Sequence, residues 1–378
     1  MKLLKKITDK KILYIITLFI LVYLPILKQT SFYLVQFKVI TNYDSINTAY
    51  ILYFCIPFFI YIYIKNLIKT KRKLDVYDYL FYILIIAGVV ATLFSLDKNI
   101  SLLGKVYRHE GLFTVLCYYL MFITWKVEGN KTDIKKILNV VVIMAIINSI
   151  YALLQMYTPF KYILRYGLDQ QMASGISGNP NFFGSLIVTV ISIITSKFLM
   201  NKNNSIIDIL LLVLLFISLI NCQSTGPFIT YIITILFLAI YLFIKKKLII
   251  KKIIYLTLIL IATYFSITFI NKEIFNINKC EMCDFAHTII DNQDSGELNY
   301  TISNGRINIW QQGLNIAKDN LINGVGYDNF YLAYYEGINL SEVYFVSIDG
   351  QLQAFKKYPQ IIDNAHNVYL HTLISSGL

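Results

Sequence analysis

Two arginines and one histidine stand in settings where their side chains could do chemistry. Arg108 lies in the segment Tyr107-Arg108-His109-Glu110-Gly111, just before an apolar run. Arg306 opens Arg306-Ile307-Asn308-Ile309-Trp310, and His366 sits in Asp363-Asn364-Ala365-His366-Asn367 before the last apolar run. Asp363 and Asn364 are good helix caps, which predicts His366 in the first turn of a helix. There the positive end of the helix dipole disfavours imidazolium and leaves a neutral imidazole able to accept a proton. The same helix end attracts phosphate through its free backbone N–H groups. Arginine suits diphosphate because its planar guanidinium grips two oxygens in a fixed geometry. A neutral base, two arginines and a helix start at a lipid–water boundary fit a substrate with a lipid tail, a diphosphate and a sugar. Humbler roles stay open: a histidine at a membrane interface also serves as a polar cap, and an exterior arginine also binds lipid phosphate.

The familiar soluble-enzyme motifs are missing. Gly324-Val325-Gly326 has neither the third glycine nor the preceding strand of a dinucleotide site. The glycines from Gly178 onward lack the lysine of a phosphate loop, and His109-Glu110 is not followed by a second histidine one turn later. His366 and His371 are separated by about 140° around a helix, too far to share one metal ion. No cofactor is implied.

The elements that would position these residues are membrane helices. The chain of 378 residues is 57% hydrophobic and 15% charged, with a mean hydropathy of +0.59; soluble domains carry about 25% charged residues. Apolar runs at 12–27, 49–64, 80–94, 112–125, 137–156, 182–196, 206–220, 228–244 and 253–270 predict nine spans, and a tenth begins near Asn367. The expected fold is therefore all-α, a polytopic transmembrane bundle over 1–270. An exterior subdomain at 271–365 and the start of a tenth span at 366–378 complete it. The basic flank at the N-terminus precedes a run with no small-residue cleavage site, so the first run reads as an uncleaved span.

Charge sets the orientation. The formal charge of +12 lacks the aromatic interleaving of a nucleic-acid groove. Instead, the N-terminal flank and the segments 65–75, 126–136, 197–204 and 245–252 hold most of the 34 lysines and arginines. One topology puts all of these clusters on the cytoplasmic side, N-terminus inside, as the positive-inside rule requires. The segments 28–48, 95–111, 157–181, 221–227 and 271–365 then face outward, and Arg108, Arg306 and His366 come to the same side.

The long exterior segment is rich in aromatics, which favours order. Ile307, Trp310, Leu314 and Ala317 follow helical spacing, with Ser303 or Asn304 as cap and the Gly324–Gly326 turn behind. That helix is expected to lie on the membrane with its indole at the interface. Cys55, Cys117 and Cys222 read as small packing residues, while Cys280 and Cys283 form an exterior CxxC that could close a disulfide. The chain stops inside an apolar run, which reads as a truncation before the last spans.

Four segments together resemble the O-antigen ligase/polymerase family. Arg306 to Trp310 matches its Arg-x-x-x-Trp helix, and Gly324 to Phe330 its Gly-x-Gly-x-x-x-Phe turn. Ala365 to Leu370 matches its Ala-His-Asn-x-x-Leu signature, and Asn179-Pro180-Asn181 its Asn-Pro-Asn segment; Ser101 to Gly104 and Arg108 also fit. The resemblance implies about twelve spans in the full protein and a metal-independent glycosyltransferase of surface polysaccharide synthesis. Its donor would be an undecaprenyl-diphosphate-linked glycan and its acceptor a glycan or a lipid-linked molecule. His366 would be the catalytic base. Arg306 and Arg108 would hold the diphosphate, and Asn179, Asn181 and Asn367 join them as substrate-binding positions, with Asn179 and Asn181 equally readable as packing caps. Two departures stand out: Gln223 to Pro227 replaces the family's Ser-Arg-Gly, which removes one phosphate-binding arginine, and no acidic residue stands near Ser375.

Ligase and polymerase use the same motifs and are not separated. A flippase for the same lipid-linked glycans is the alternative, although it calls for charged or broken helices at mid-membrane depth, which the runs hardly contain. A sensor or scaffold would carry a sizeable cytoplasmic domain, and the interior segments are too short for one.

Overall fold

The computed structural model describes residues 9–23, 25–26, 48–105, 109–158, 172–201, 205–245, 250–277, 306–336, 343–348, 351–356, 362 and 364–377. In chain order the helices are α1 (Asp9–Leu18, with a π-turn at Phe19–Tyr23), α2 (Thr48–Tyr53), α3 (Ile56–Thr70), α4 (Val76–Leu93) and α5 (Lys98–Leu103). They continue with α6 (Leu112–Glu128), α7 (Lys131–Tyr157), α8 (Pro180–Met200), α9 (Ile206–Asn221) and α10 (Thr225–Ile244). Then come α11 (Ile250–Phe269, with a π-turn at Ile270–Ile274), α12 (Arg306–Asp319), α13 (Phe330–Glu336) and α14 (Val368–Ser376). One antiparallel hairpin, β1 (Val343–Ile348) with β2 (Gln351–Lys356), interrupts this helical architecture and was not expected from the sequence.

Seven of the nine apolar runs fall on one helix each, that at 49–64 is divided between α2 and α3, and the described part of 12–27 falls on α1, its π-turn and residues 25–26. Among the described residues, six stretches are long and apolar enough to cross a membrane: Ile51–Thr70, Val76–Leu93, Lys131–Tyr157, Pro180–Met200, Thr225–Ile244 and Ile250–Ile274; Ile206–Asn221 is a shorter apolar helix. Their surfaces suit lipid. On α10, Phe237 is 70% and Ile244 70% exposed, and Leu236 and Ile240 are exposed as well. An apolar patch of this extent is rare on a soluble monomer.

Polar side chains fix where the helices begin, because the first N–H groups of a helix lack internal partners. Asp75 accepts from the N–H of Tyr77 and Asp78 while Asp78 accepts from Asp75 N–H, a capping box at the start of α4. Asn130 and Asp133 repeat the device on α7. Asn179 caps α8 with Pro180 behind it, and Ser205 caps α9.

The chain forms two compact units: Met1–Thr17 with Asp44–Gly129 and Asn292–Leu378, and Leu18–Tyr43 with Asn130–Asp291. In the first, the N-terminal end of α4 carries a charged cluster. Arg72 bonds the fully buried Asp78 at 2.6 Å, Tyr63 donates to the same carboxylate at 2.9 Å, and Lys126 pairs with Asp75. The hydrogen bond to Asp78 raises the Arg72 pKa above its ordinary value. The opposite end of α4 leads through Ser95 and α5 to the segment before α6, where α12, α13 and α14 also gather. In the second unit, α8 packs against α7, α9 and α10 around a core that includes Phe183, Ile187, Ile191, Phe198 and Leu215. Gly184 permits that contact, because a Cβ there would lie 2.6 Å from the Pro227 ring.

Candidate functional site

The site of the first unit is built on a small core of Ile309, Ala317, Val325, Phe330, Tyr334, Ala365, Leu370 and Ile374. Helix α12 meets α14 over Gly313, whose added Cβ would stand 3.1 Å from Leu370 and 3.2 Å from Ile374. The buried face of α12 runs through Ile309, Gly313 and Ala317, with Trp310 packed beside it. Leu314, counted on that face from the sequence, is 48% exposed; glycine was the residue that marked the packed side.

Trp310 has a more specific task than an interface anchor. Its indole N–H donates to the backbone carbonyl of Ala365 at 2.9 Å, and Ala365 is fully buried. The next residue is His366, exposed and at φ +50°. Its N–H donates to Asn364 Oδ1 at 2.9 Å, and Asn367 Oδ1 accepts from Leu370 N–H at 3.2 Å. Helix α14 therefore starts at Val368 with Asn367 as its cap. The expected place of His366 in the first helical turn is corrected: its left-handed backbone cannot continue a helix, so it stands just ahead of the cap. Asn364 does cap backbone, but in a local turn before the helix.

Arg306 is the first residue of α12, one turn ahead of Trp310 and on the same side, since residues four apart are helix-surface neighbours. It is half-buried, and among the described residues no hydrogen bond or ion pair engages its guanidinium. Arg306, His366 and Asn367 thus belong to one packed assembly of α12, the 364–367 turn and α14.

The turn from Gly324 to Phe330 joins this assembly to the segment before α6. On one side Val325 N–H donates to Ile374 O at 2.8 Å and Gly326 N–H to Ser375 O at 3.0 Å. On the other, Leu96 N–H donates to Val325 O at 3.3 Å, Tyr327 N–H to Ser101 Oγ at 3.1 Å and Asn329 Nδ2 to Asp97 O at 3.0 Å. Gly324 at φ +65° and Gly326 at φ +93° have backbones that favour glycine, and a Cβ on either would strike neighbouring atoms. Phe330 is fully buried, with its ring 5.9 Å from that of His371. Tyr327 inserts beside Gly88 of α4, and burial pushes its phenol up to about 12. The motif's glycines and phenylalanine thus connect elements.

Asp328, which sequence reasoning passed over, is the other half of that connection. It is almost completely buried, and its Oδ2 accepts from the N–H groups of Lys105 and, at 3.4 Å, Glu110. A single acidic residue among neutral neighbours in a glycine turn was the signal available for it, since Asp tolerates positive φ and bonds nearby backbone; its φ is +56°. Arg108 itself lies outside the described residues, as do Cys280 and Cys283. Cys55, Cys117 and Cys222 are buried and form no disulfide among the described residues.

Asn179 and Asn181 belong to the second unit. Asn179 Oδ1 accepts from Asn181 N–H at 2.8 Å and Phe182 N–H at 3.3 Å, a helix cap, and Asn181 Oδ1 accepts from Ser224 Oγ. The backbone just before them is held by buried amides. Gln155 Oε1 accepts from Ser174 and Gly175 N–H, and Asn148 Oδ1 from Ile176 N–H at 2.9 Å. Tyr157, Asn221 and Asn271 form a further hydrogen-bonded cluster in this unit. Among the described residues no group of three His, Cys, Asp or Glu could hold a metal ion.

Long apolar helices of this number point to the class, a multi-pass membrane protein. Residues 210–378, a little under half of the chain, match the family model described as O-antigen ligase, which supports an O-antigen ligase/polymerase family. The match takes in Arg306, Trp310, the 324–330 turn and His366, and stops short of Arg108, Asn179 and Asn181. That family points to glycosyltransferase-like chemistry in surface polysaccharide synthesis. No curated protein and no solved structure matched the chain.

Proposed function

We propose that this protein transfers a glycan from an undecaprenyl-diphosphate-linked donor to a hydroxyl acceptor on the outer face of the cytoplasmic membrane, acting as a ligase or polymerase. The observation that carries the reading is the link of Arg306 and His366 through Trp310: half-buried Arg306 opens the helix whose indole bonds the carbonyl just before exposed His366. The domain match supports the substrate class. The basic clusters support an orientation with the N-terminus inside and this assembly outside.

In the reaction, the acceptor O–H attacks the anomeric carbon of the donor sugar. A new C–O glycosidic bond forms as the bond to the diphosphate oxygen breaks. His366 takes the acceptor proton as general base. Arg306, with Arg108, offsets the negative charge that grows on the departing lipid diphosphate; charge-directed donors fixed in place beforehand are the largest source of such stabilisation. Two arginines supply that charge in this scheme without a metal ion. Asn367 keeps the start of α14 capped beside the base.

The test uses the full-length protein reconstituted in vesicles with lipid-linked glycan extracted from cells lacking the gene. Transfer releases undecaprenyl diphosphate in step with loss of donor, and Arg306→Lys slows it by about tenfold or more, because lysine keeps the charge but not the planar two-point grip. Movement of donor between leaflets with no undecaprenyl diphosphate released would replace this reading with the flippase.

A further inference from the structure

We propose that Trp310 is a positioning residue for His366: its indole N–H, bonded to the Ala365 carbonyl, sets the turn that presents the imidazole. The inference rests on the transfer reading above and adds to it the part that aims the base.

His366 holds φ +50°, a conformation uncommon for a residue with a side chain. A residue persists there only where its surroundings over-determine it, and such residues gather at functional sites. Three side chains do so here. Asn364 takes the His366 N–H, Asn367 takes the Leu370 N–H, and Trp310 takes the Ala365 carbonyl at 2.9 Å. The two asparagines act within the turn. Trp310 alone among these three reaches in from another helix, so it sets where the turn sits relative to α12.

That helix also begins with Arg306, one turn away from Trp310. The helix itself also packs closely on α14, with Gly313 against Leu370 and Ile374. The Trp310 bond thus ties the group that holds the diphosphate to the group that takes the proton. Transfer needs both at one sugar, and a misplacement of about 1 Å in such a pair costs about 100-fold in rate. Trp310 touches no reacting atom in this scheme, so its loss should lower turnover while leaving donor binding through Arg306 intact.

The experiment compares Trp310→Phe, which removes the N–H and keeps a ring, with wild type and Asn364→Ala. Each is purified as full-length protein, matched for thermal midpoint and monodispersity, and assayed with extracted undecaprenyl-diphosphate-linked glycan. Trp310→Phe is expected to lose about tenfold or more in kcat with KM for the donor within about twofold of wild type. Asn364→Ala, which frees the same turn from its other side, is expected to show the same split. A purely structural role would lower the yield of folded protein and leave kcat per folded molecule unchanged, and that result overturns the proposal. A rise in KM that matches the loss in efficiency, with kcat intact, overturns it too. If Trp310→Phe does not accumulate, wild-type kcat in Asn364→Ala decides against it. His366→Ala runs beside them: turnover surviving that change sinks the transfer reading itself, whereas its loss with Trp310→Phe unaffected sinks only the positioning role.

Discussion

Replacing Gly326 by alanine should damage this protein more than the same change at two other glycines, and the structure says by roughly how much. Gly326 has φ +93°, and an added Cβ would fall on Ser95 Cβ, 2.7 Å from Asn329 Nδ2 and 3.0 Å from Ser101 Oγ. The backbone penalty for a left-handed L-residue is about 1–2 kcal/mol. Forcing a methyl into occupied space costs about 1–3 kcal/mol more. Together they amount to about 2–5 kcal/mol, a large share of the 5–15 kcal/mol that usually separates folded from unfolded protein. Gly178 has φ +68° but nothing within 4 Å of an added Cβ, so only the backbone part applies, about 1–2 kcal/mol. Gly226 lies in the first turn of α10 with open space around it, and alanine there should be neutral or stabilising by up to about 1 kcal/mol. Thermal unfolding of the three purified variants in one detergent should rank Gly326→Ala lowest, Gly178→Ala next and Gly226→Ala at or above wild type. Donor turnover per folded molecule should fall only in Gly326→Ala, whose turn joins α14 to the segment before α6. A Gly326→Ala protein with wild-type midpoint and turnover would refute the account of that turn.

Other outcomes follow from the same geometry. Asp78→Asn leaves Arg72 beside a neutral amide in a buried position and should cost about 3 kcal/mol of stability, read as a lower unfolding midpoint; exchanging both Arg72 and Asp78 for leucine should recover part of it. Asn179→Asp keeps an oxygen for the Asn181 and Phe182 N–H groups, so glycan output from cells should stay at the wild-type level, while Asn179→Ala should lose about 1 kcal/mol of stability. A loss of output in Asn179→Asp with unchanged stability would give Asn179 a substrate contact in place of its capping role.

The membrane helices were legible in the sequence because their signal is length and apolarity alone. The run at 182–196 lies inside Pro180–Met200, and that at 137–156 inside Lys131–Tyr157, each extended by the polar cap ahead of it. Helix α12 and the glycine turn behind it were also read correctly, since both announce themselves locally. What escaped depends on partners distant in the chain. Trp310 bonds residue 365 and Asp328 bonds residue 105, and no spacing rule connects such positions. His366 was placed too deep because Asp363 and Asn364 are good caps in the sequence; Asn367 caps the helix instead, and the left-handed backbone at His366 keeps that residue outside it. The β1–β2 hairpin lay within a stretch whose polar and aromatic residues gave no clean alternation.

The central claim is that His366 is the base of a glycan transfer, and the most direct measurement is the glycan profile of cells carrying the full-length gene. Wild type is compared with His366→Ala at matched expression, reading the length of surface glycan and the lipid-linked pool on each membrane face. The account predicts that long or attached chains disappear while short lipid-linked units accumulate on the outer face. An unchanged profile would contradict it and leave His366 as an ordinary turn residue ahead of α14.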